Sequence, residues 1–511
     1  MKNGKAGKFF AVGRIGAVLL SFVFLASTAF GQDQAPGAED LKALRQKIEE
    51  LEQKVKQLEQ NSAASKAETN KDQQIQNLDQ KVKILERNRE LDQEAAEAKA
   101  STAPRISLGE RGFSFASADG SFGIQLKGLI QVDSRTFFRD SGISGNDSLL
   151  LRRARPILQG NLFSNLDFLF VPDFGGSSVQ IFDACLNYQL TPALQLQAGK
   201  FKSPVGLEQL QTDAYTLFNE RSLVTSIVPN RDIGFELHGD LWDGSVSYAA
   251  GIFNGVGDAR LSSNADFDDN KEFAGRIFFQ PFRESKIDAL SKFGFGLGGS
   301  YTDYQKTNAA GLPNTTGGTL PGYATDGQQQ FFAYNPTNGS VVAAGEHWHL
   351  SPQGYYYYGP FGIFGEYVIS SQKVRQVGAP TRTATLEHTA WEVSGLWNLT
   401  GEEAVYNGPV IPRHPFSLRD GGWGAWQLVA RYAELDIDDD AFPVFSNEHA
   451  SAHHVWSSSL GLNWWLNRNL RLATSFSHSE FQGGGGNGAS VPAAVTRKNE
   501  NVLFTRLQLS F

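Results

Sequence analysis

A single cysteine, Cys185, stands in a chain of 511 residues. One thiol excludes an intrachain disulfide framework and argues against cysteine-rich metal centres. Past the first thirty residues no apolar run is long enough for a membrane helix, and mean hydropathy is −0.31. Basic charge is not in excess: 46 Lys+Arg against 54 Asp+Glu leave a net −8, which gives no reason to expect nucleic acid. A nucleophile elbow, a paired-cysteine motif and a phosphate-cradling loop are all missing. The length allows two to four soluble domains, or one large barrel with an appendage. A transmembrane barrel leaves the same blanks, because its lipid-facing and lumen-facing residues alternate and no continuous apolar run forms.

The N-terminus reads as an export signal. Lys2, Lys5, Lys8 and Arg14 precede an apolar stretch from Ile15 to Phe30, with cleavage expected after Ala29 or Gly31. That stretch is short for a span, and polar sequence follows at once. Residues 1–31 are therefore expected to be a signal peptide.

Residues 39–99 are rich in Leu, Glu, Gln, Lys and Ala and free of Gly, Pro and aromatics. Leu41, Leu44, Ile48, Leu51, Val55 and Leu58 alternate spacings of three and four, a heptad seam. Ile75, Leu78, Val82 and Leu85 resume it one position out of phase, so the interval between is a break or a stagger. An α-helical coiled coil is expected here.

From Phe113 onward the texture is glycine, aromatics and strict alternation. Phe122, Ile124, Leu126, Ile130 and Val132 oppose Gln125, Lys127, Gln131, Asp133 and Arg135. Phe182, Ala184, Leu186 and Tyr188 oppose Asp183, Cys185 and Asn187. The chain ends with Leu503, Thr505, Leu507, Leu509 and Phe511 on one face and Arg506 and Gln508 on the other. An alternating last strand closed by an aromatic carboxyl terminus fits the final strand of an outer-membrane barrel. Such segments number about sixteen, which predicts an all-β transmembrane antiparallel barrel over residues 105–511 with a long polar loop at 303–345. Trp242, Tyr355–Tyr358, Trp464 and Trp465 sit at strand ends, where interface girdles would fall.

Three patterns resemble reactive sites. Gly294, Gly296 and Gly299 match a dinucleotide fingerprint, but Phe293, Phe295, Leu297 and Tyr301 carry strand alternation through it, so these are strand glycines. Asp436, Asp438 and Asp440 begin like a calcium loop, but Ala441 and Asn447 stand where Gly and Glu are needed. His347 with His349, and His453 with His454, bring no third ligand at metal spacing. No metal and no cofactor is expected.

More specific are three longer segments. Leu151–Pro156 (LRRARP) is followed by Gly160 and Val171–Phe174 (VPDF); Gly199–Glu208 (GKFKSPVGLE) runs on to Asn219–Leu223 (NERSL); Asn230–Gly234 (NRDIG) is followed by Gly251–Gly255 (GIFNG). With Gly461–Asn467 and Arg506–Gln508, these make residues 110–511 resemble the phosphate-selective porin O and P family. The resemblance implies a trimeric sixteen-strand barrel with inward-folded loops and an anion path lined by Arg and Lys. Inorganic phosphate or polyphosphate would be the favoured solute, and the helical segment would lie in the periplasm. A homotrimer, outer-membrane lipid, small anions and, through the coiled coil, peptidoglycan are then the expected partners.

Such a channel needs no covalent step: fixed guanidinium groups replace part of the ion's hydration, and binding stays shallow enough for release. Arg153 and Arg155 share the polar face of one strand with Gln159 and Asn161 and are expected to line the lumen. Lys127 and Arg135 lie on another polar face, Arg276, Arg431 and Arg506 are further lumen candidates, and Lys200 and Lys202 sit in a turn-like motif at an entrance. The competing role for each is a structural ion pair with Asp133, Asp167 or Asp183; Glu220 and Arg221 read as such a pair. Past residue 104 there are about 30 basic and about 39 acidic residues, and no dense lysine cluster is visible, so a general diffusion porin for small hydrophilic solutes is the alternative. From other classes come an outer-membrane hydrolase with its site spread over several strands, and a structural tether with a plugged lumen.

Overall fold

Period-2 alternation gives every strand one apolar and one polar face, and the fold is decided by which face turns inward. A computed structural model of the chain describes residues 46–54, 68–138, 145–176, 178–259, 266, 269–305, 320–334, 340–377, 381–486 and 495–511. The expected signal peptide over 1–31, and the seam residues Leu41, Leu44, Val55 and Leu58, lie outside the described residues. The chain divides into two compact units between Ala103 and Pro104.

In the first unit, residues 46–54 are helical and a 35-residue helix, α1, spans Glu68–Thr102. Its sequence lacks Gly, Pro and aromatics and carries i,i+4 support such as Asp79–Lys83 at 2.8 Å. Ile84 and Leu91 are exposed on it.

The second unit starts with a hairpin of β1 (Arg105–Gly109) and β2 (Gly112–Ala116). Nine strands follow: β3 (Gly123–Phe137), β4 (Ser148–Leu162), β5 (Leu166–Asp173), β6 (Gln180–Thr191), β7 (Leu194–Lys202), β8 (Arg231–Leu241), β9 (Val246–Phe253), β10 (Glu272–Phe279) and β11 (Phe293–Gln305). After the short pair β12 (Tyr323–Ala324) and β13 (Gln330–Phe332) come β14 (Ser340–Tyr358), β15 (Phe361–Val377), β16 (Arg382–Asn398), β17 (Ala425–Asp436), β18 (Ala452–Trp465), β19 (Leu470–Gly483) and β20 (Glu500–Ser510). Each wall strand pairs antiparallel with the next, β11 pairs with β14, and β20 pairs back onto β3 from Val502↔Phe137 to Ser510↔Leu129. The result is a closed sixteen-strand antiparallel barrel. Closure removes the unpaired edges an open sheet would present. Phe511 exchanges two 3.0 Å backbone hydrogen bonds with Gly128, and β2 continues its line along β3.

The apolar face is the outer one. Phe122 is 44%, Leu186 49% and Leu507 50% exposed, whereas Gln131, Asp133, Arg506 and Gln508 are 0% exposed inside. A soluble protein arranges these types the other way round, so the outer wall is a lipid-facing surface.

Six expectations need correction. The strands β11 and β14 reach Gln305 and Ser340, so the loop expected at 303–345 is shorter. Lys200 and Lys202 lie on β7, not in a turn. Phe182 sits at a bulge between β5 and β6 and turns inward, with guanidinium groups packed on its ring. Of the aromatic strand ends, Trp242 and Tyr358 are exposed and Trp464 stacks on Trp426, but Tyr357 and Trp465 are buried inside. Glu220 and Arg221 do not pair with each other; each has its own partner, described below. His347 and His349 do find a third neighbour, Asp258, from a distant loop.

Candidate functional site: a lumen crossed by one loop

Both chain ends of the barrel and its short turns (163–165, 192–193, 359–360) lie at one rim. From the opposite rim the 203–230 connection between β7 and β8 folds into the lumen. A loop with this many backbone polar groups can be enclosed only if they find partners. They do. Gln131 donates to the Asp213 carbonyl at 3.1 Å, Gln508 to Ala214 at 2.9 Å, Arg471 to Thr216 at 2.9 Å and Asn463 to Leu217 at 2.9 Å. The four donors come from β3, β20, β19 and β18, so the loop reaches the wall opposite its own strands. On the near side Gln353 donates to the Val205 carbonyl at 2.7 Å, and the Glu366 carboxylate accepts from the Leu207 and Glu208 amides at 2.7 and 2.8 Å. Gly298 is required where Val205 crosses β11: a Cβ there would stand 2.2 Å from the Val205 oxygen.

The loop brings its own carboxylates to the arginines of the wall. Glu220 receives two bonds from Arg152 at 2.6 and 2.9 Å and one from Arg135 at 2.8 Å. Asp213 is held by Arg155 and Arg221, with Arg153 at 3.6 Å. Glu208 accepts from the Ser222 amide and hydroxyl, both at 2.8 Å, and lies 3.4 Å from Arg431. Burial alone would raise the Asp213 carboxyl, but Arg221, Arg153 and Arg155 around it hold it well below the usual carboxylate range. For Glu220, too, burial is opposed by its arginines, chiefly Arg152, and the carboxyl is lowered. These pairs are enclosed and multiply bonded, so removing one partner strands a buried charge at about 3–5 kcal/mol.

Arg153 and Arg155 therefore do face the lumen, and both are engaged. Arg153 donates to Gln131 at 2.7 Å, and Arg155 donates to Asp173 at 2.6 Å and lies 3.8 Å over the Phe182 ring. Arg231, paired with Asp183 at 2.9 Å, covers the same ring at 4.7 Å. Arg135 holds Glu220, and Arg431 joins Glu208 to Asp326 at 3.0 Å. Lys200 is enclosed on β7, and Lys202 donates to the Gln211 carbonyl at 2.5 Å. Arg276 donates to Gln353 at 2.8 Å beside Phe278.

Lys127 differs. It lines a cavity of about 880 Å³ between the loop and the wall, together with Arg111 from the β1–β2 turn and Arg468 from the β18–β19 turn. Among the described residues no carboxylate lies within 4.0 Å of any of these three side-chain cations. Arg111, Arg468, Arg152 and Asp213 escape sequence reasoning for separate reasons. The first two sit in turns that alternation leaves unassigned. Arg152 is turned inward by a bulge opposite Gln131 and Val132. Asp213 belongs to a loop whose path no local pattern fixes.

The outer hairpins and loops hold a second polar cluster. Nε2 of His349 and of His347 lie 2.8 and 3.3 Å from Oδ1 of Asp258, whose Oδ2 accepts from Ser370 at 3.0 Å and Tyr323 at 3.1 Å.

The barrel is similar in fold to several solved structures. An outer-membrane channel, DcaP of Acinetobacter baumannii, is 11% identical over 78% of this chain and 99% of its own, with a TM-score of 0.48. An anion-selective porin from Comamonas acidovorans is 11% identical over 76% of this chain and 100% of its own, TM-score 0.46. The trimer form of OmpT, an outer-membrane protein of Vibrio cholerae, is 9% identical with the same two coverages and TM-score 0.46. Among curated protein sequences none matches. The family model for phosphate-selective porin O and P matches residues 124–511, the whole of the barrel wall, and the chain belongs to that family of outer-membrane channels.

Proposed function

We propose that this channel passes small anions, phosphate among them, and that its anion subsite is the inner-mouth group Lys127, Arg111 and Arg468. The observation that carries this reading is that these three cations face an 880 Å³ cavity with no carboxylate in ion-pair range among the described residues. Every other lumen arginine named above is committed to a carboxylate, a carbonyl or an amide. An unpaired cation at a water-filled wall exchanges hydration for contact with a passing anion. Binding stays weak because water reaches the site, which suits passage.

Arg153 and Arg155 then act as positioning residues: with Arg152 and Arg135 they hold the 203–230 loop across the lumen and set its width. This engagement also favours the second reading, a general diffusion pore with mild anion preference. Purified protein in planar bilayers separates the two. Phosphate that blocks chloride current in the wild type, and no longer does so in Lys127→Ala with Arg111→Ala, supports the phosphate subsite. Chloride current indifferent to phosphate supports general diffusion.

A homotrimer in the outer membrane is the assembly that family membership suggests, and the apolar outer wall suits it. A periplasmic coiled coil is proposed for the N-terminal segment, on its heptad seam and on the family membership of the barrel that follows it. Peptidoglycan is the partner proposed for it.

A further inference from the structure

We propose that Asp258, His347 and His349 form a binding site for a divalent transition metal of the zinc type, with Glu272 orienting His349. Nε2 of both histidines converges on one oxygen, Oδ1 of Asp258, and the three donor atoms lie within 4.8 Å of one another. All three residues are buried. Two imidazoles and a carboxylate are a common donor set for Zn²⁺, whose bonds of about 2.0–2.2 Å place tetrahedral donors about 3.3 Å apart. The present separations of 2.8 and 3.3 Å are near that value, so an ion enters with small side-chain shifts.

The strand geometry explains why the histidines converge. The register of β14 against β15 slips between Ala343 and His347, and Gly345 takes φ +140 in that interval. Beyond the bulge, His347 and His349 point to the same inner face, flanked by Thr302 and Ser300 on β11 and by Gln372 and Ser370 on β15. Asp258 arrives from the loop after β9, far along the chain, which is why spacing in the sequence does not disclose it.

An independent observation lies behind His349. Its Nδ1 contacts the Ser300 hydroxyl at 2.7 Å and faces Oε1 of Glu272 at 4.0 Å. Glu272 is fully buried, and that oxygen has no hydrogen-bond partner. A hydrogen bond at the far nitrogen fixes the tautomer of a metal-ligating imidazole; here Ser300 makes that bond, and the buried Glu272 carboxylate behind it adds the negative charge that favours an Nδ1–H. Ser370 is the nearest hydroxyl to the Asp258 carboxylate and would stand by a fourth position, leaving little room for substrate. The site is thus structural: it ties the loop after β9 to β14 and β15, and metal affinity would appear as folding stability.

The test uses the full mature protein in detergent, stripped with chelator and titrated with ZnCl₂ and separately with CoCl₂. One zinc per chain is expected, with an intense visible Co²⁺ spectrum of tetrahedral type and a higher unfolding temperature in the loaded form. Glu272→Gln is expected to keep the stoichiometry and weaken affinity about 10–100-fold. His349→Ala is expected to abolish uptake. Substoichiometric zinc in the wild type, or Co²⁺ giving only the pale spectrum of the hydrated ion, would overturn the proposal and leave a hydrogen-bonded Asp–His cluster. The cobalt spectrum is read on the wild type, so it decides the matter even if His349→Ala fails to fold.

Discussion

Asp133 and Arg506 face each other on the seam where the last strand of the barrel meets the first. The guanidinium donates to both carboxylate oxygens, at 2.6 and 2.7 Å, and both side chains are completely enclosed. The pair sits at the one junction between chain ends that closure depends on. Asp133→Ala is expected to cost about 3–5 kcal/mol, because it leaves a buried guanidinium without its acceptor. Replacing both residues with leucine should cost much less. Urea unfolding of the barrel in detergent micelles measures the two losses.

The inward loop is held by charge pairs, so weakening one should widen the pore before it unfolds the wall. Arg152→Ala removes the two-bond contact to Glu220. Single-channel conductance is expected to rise and to become noisier, with heat-resistant barrel migration on gels retained. Unchanged conductance would mean that the loop does not set the limiting width.

Gly298→Ala tests the same point from the wall. Its new Cβ would meet the Val205 carbonyl at 2.2 Å and push the loop root off β11. A loss of about 1–3 kcal/mol is expected, with a conductance change in the same direction as Arg152→Ala. Alanine at Gly395, where the nearest atom is 3.8 Å away, is the control and should be close to silent.

The pH dependence follows from Asp213. Its carboxyl is depressed in the folded barrel, so its contribution is complete above the unfolded value of about 3.9 and is lost as pH falls through the lower folded value. The hold of Asp213 on the loop should therefore be constant from neutral pH down to about 4 and weaken only below it. A conductance change centred between pH 5 and 7 would show that another group governs the loop.

The wall of this barrel is legible because alternation is local: parity alone assigns Leu507 and Arg506 to opposite faces, and the barrel has the first exposed and the second enclosed. Parity fails where a strand carries an extra residue. Arg152 and Phe182 both sit at such bulges, and both turn inward against the count. The lumen is less legible than the wall. Parity puts Arg153 and Arg155 on the inner face, but their partners Asp213 and Asp173 depend on long-range closure and on the path of the 203–230 loop. Arg111 and Arg468, which have no carboxylate in ion-pair range among the described residues, come from turns, and only the assembled barrel sets them beside Lys127.

Whether the inner mouth selects anions is read by reversal potential across a salt gradient. The wild-type channel should favour anions, and the Lys127→Ala, Arg111→Ala, Arg468→Ala triple variant should lose most of that preference while conductance keeps its order of magnitude. A wild type that favours cations, or a triple variant with the same reversal potential as its parent, would contradict an anion path through these three residues.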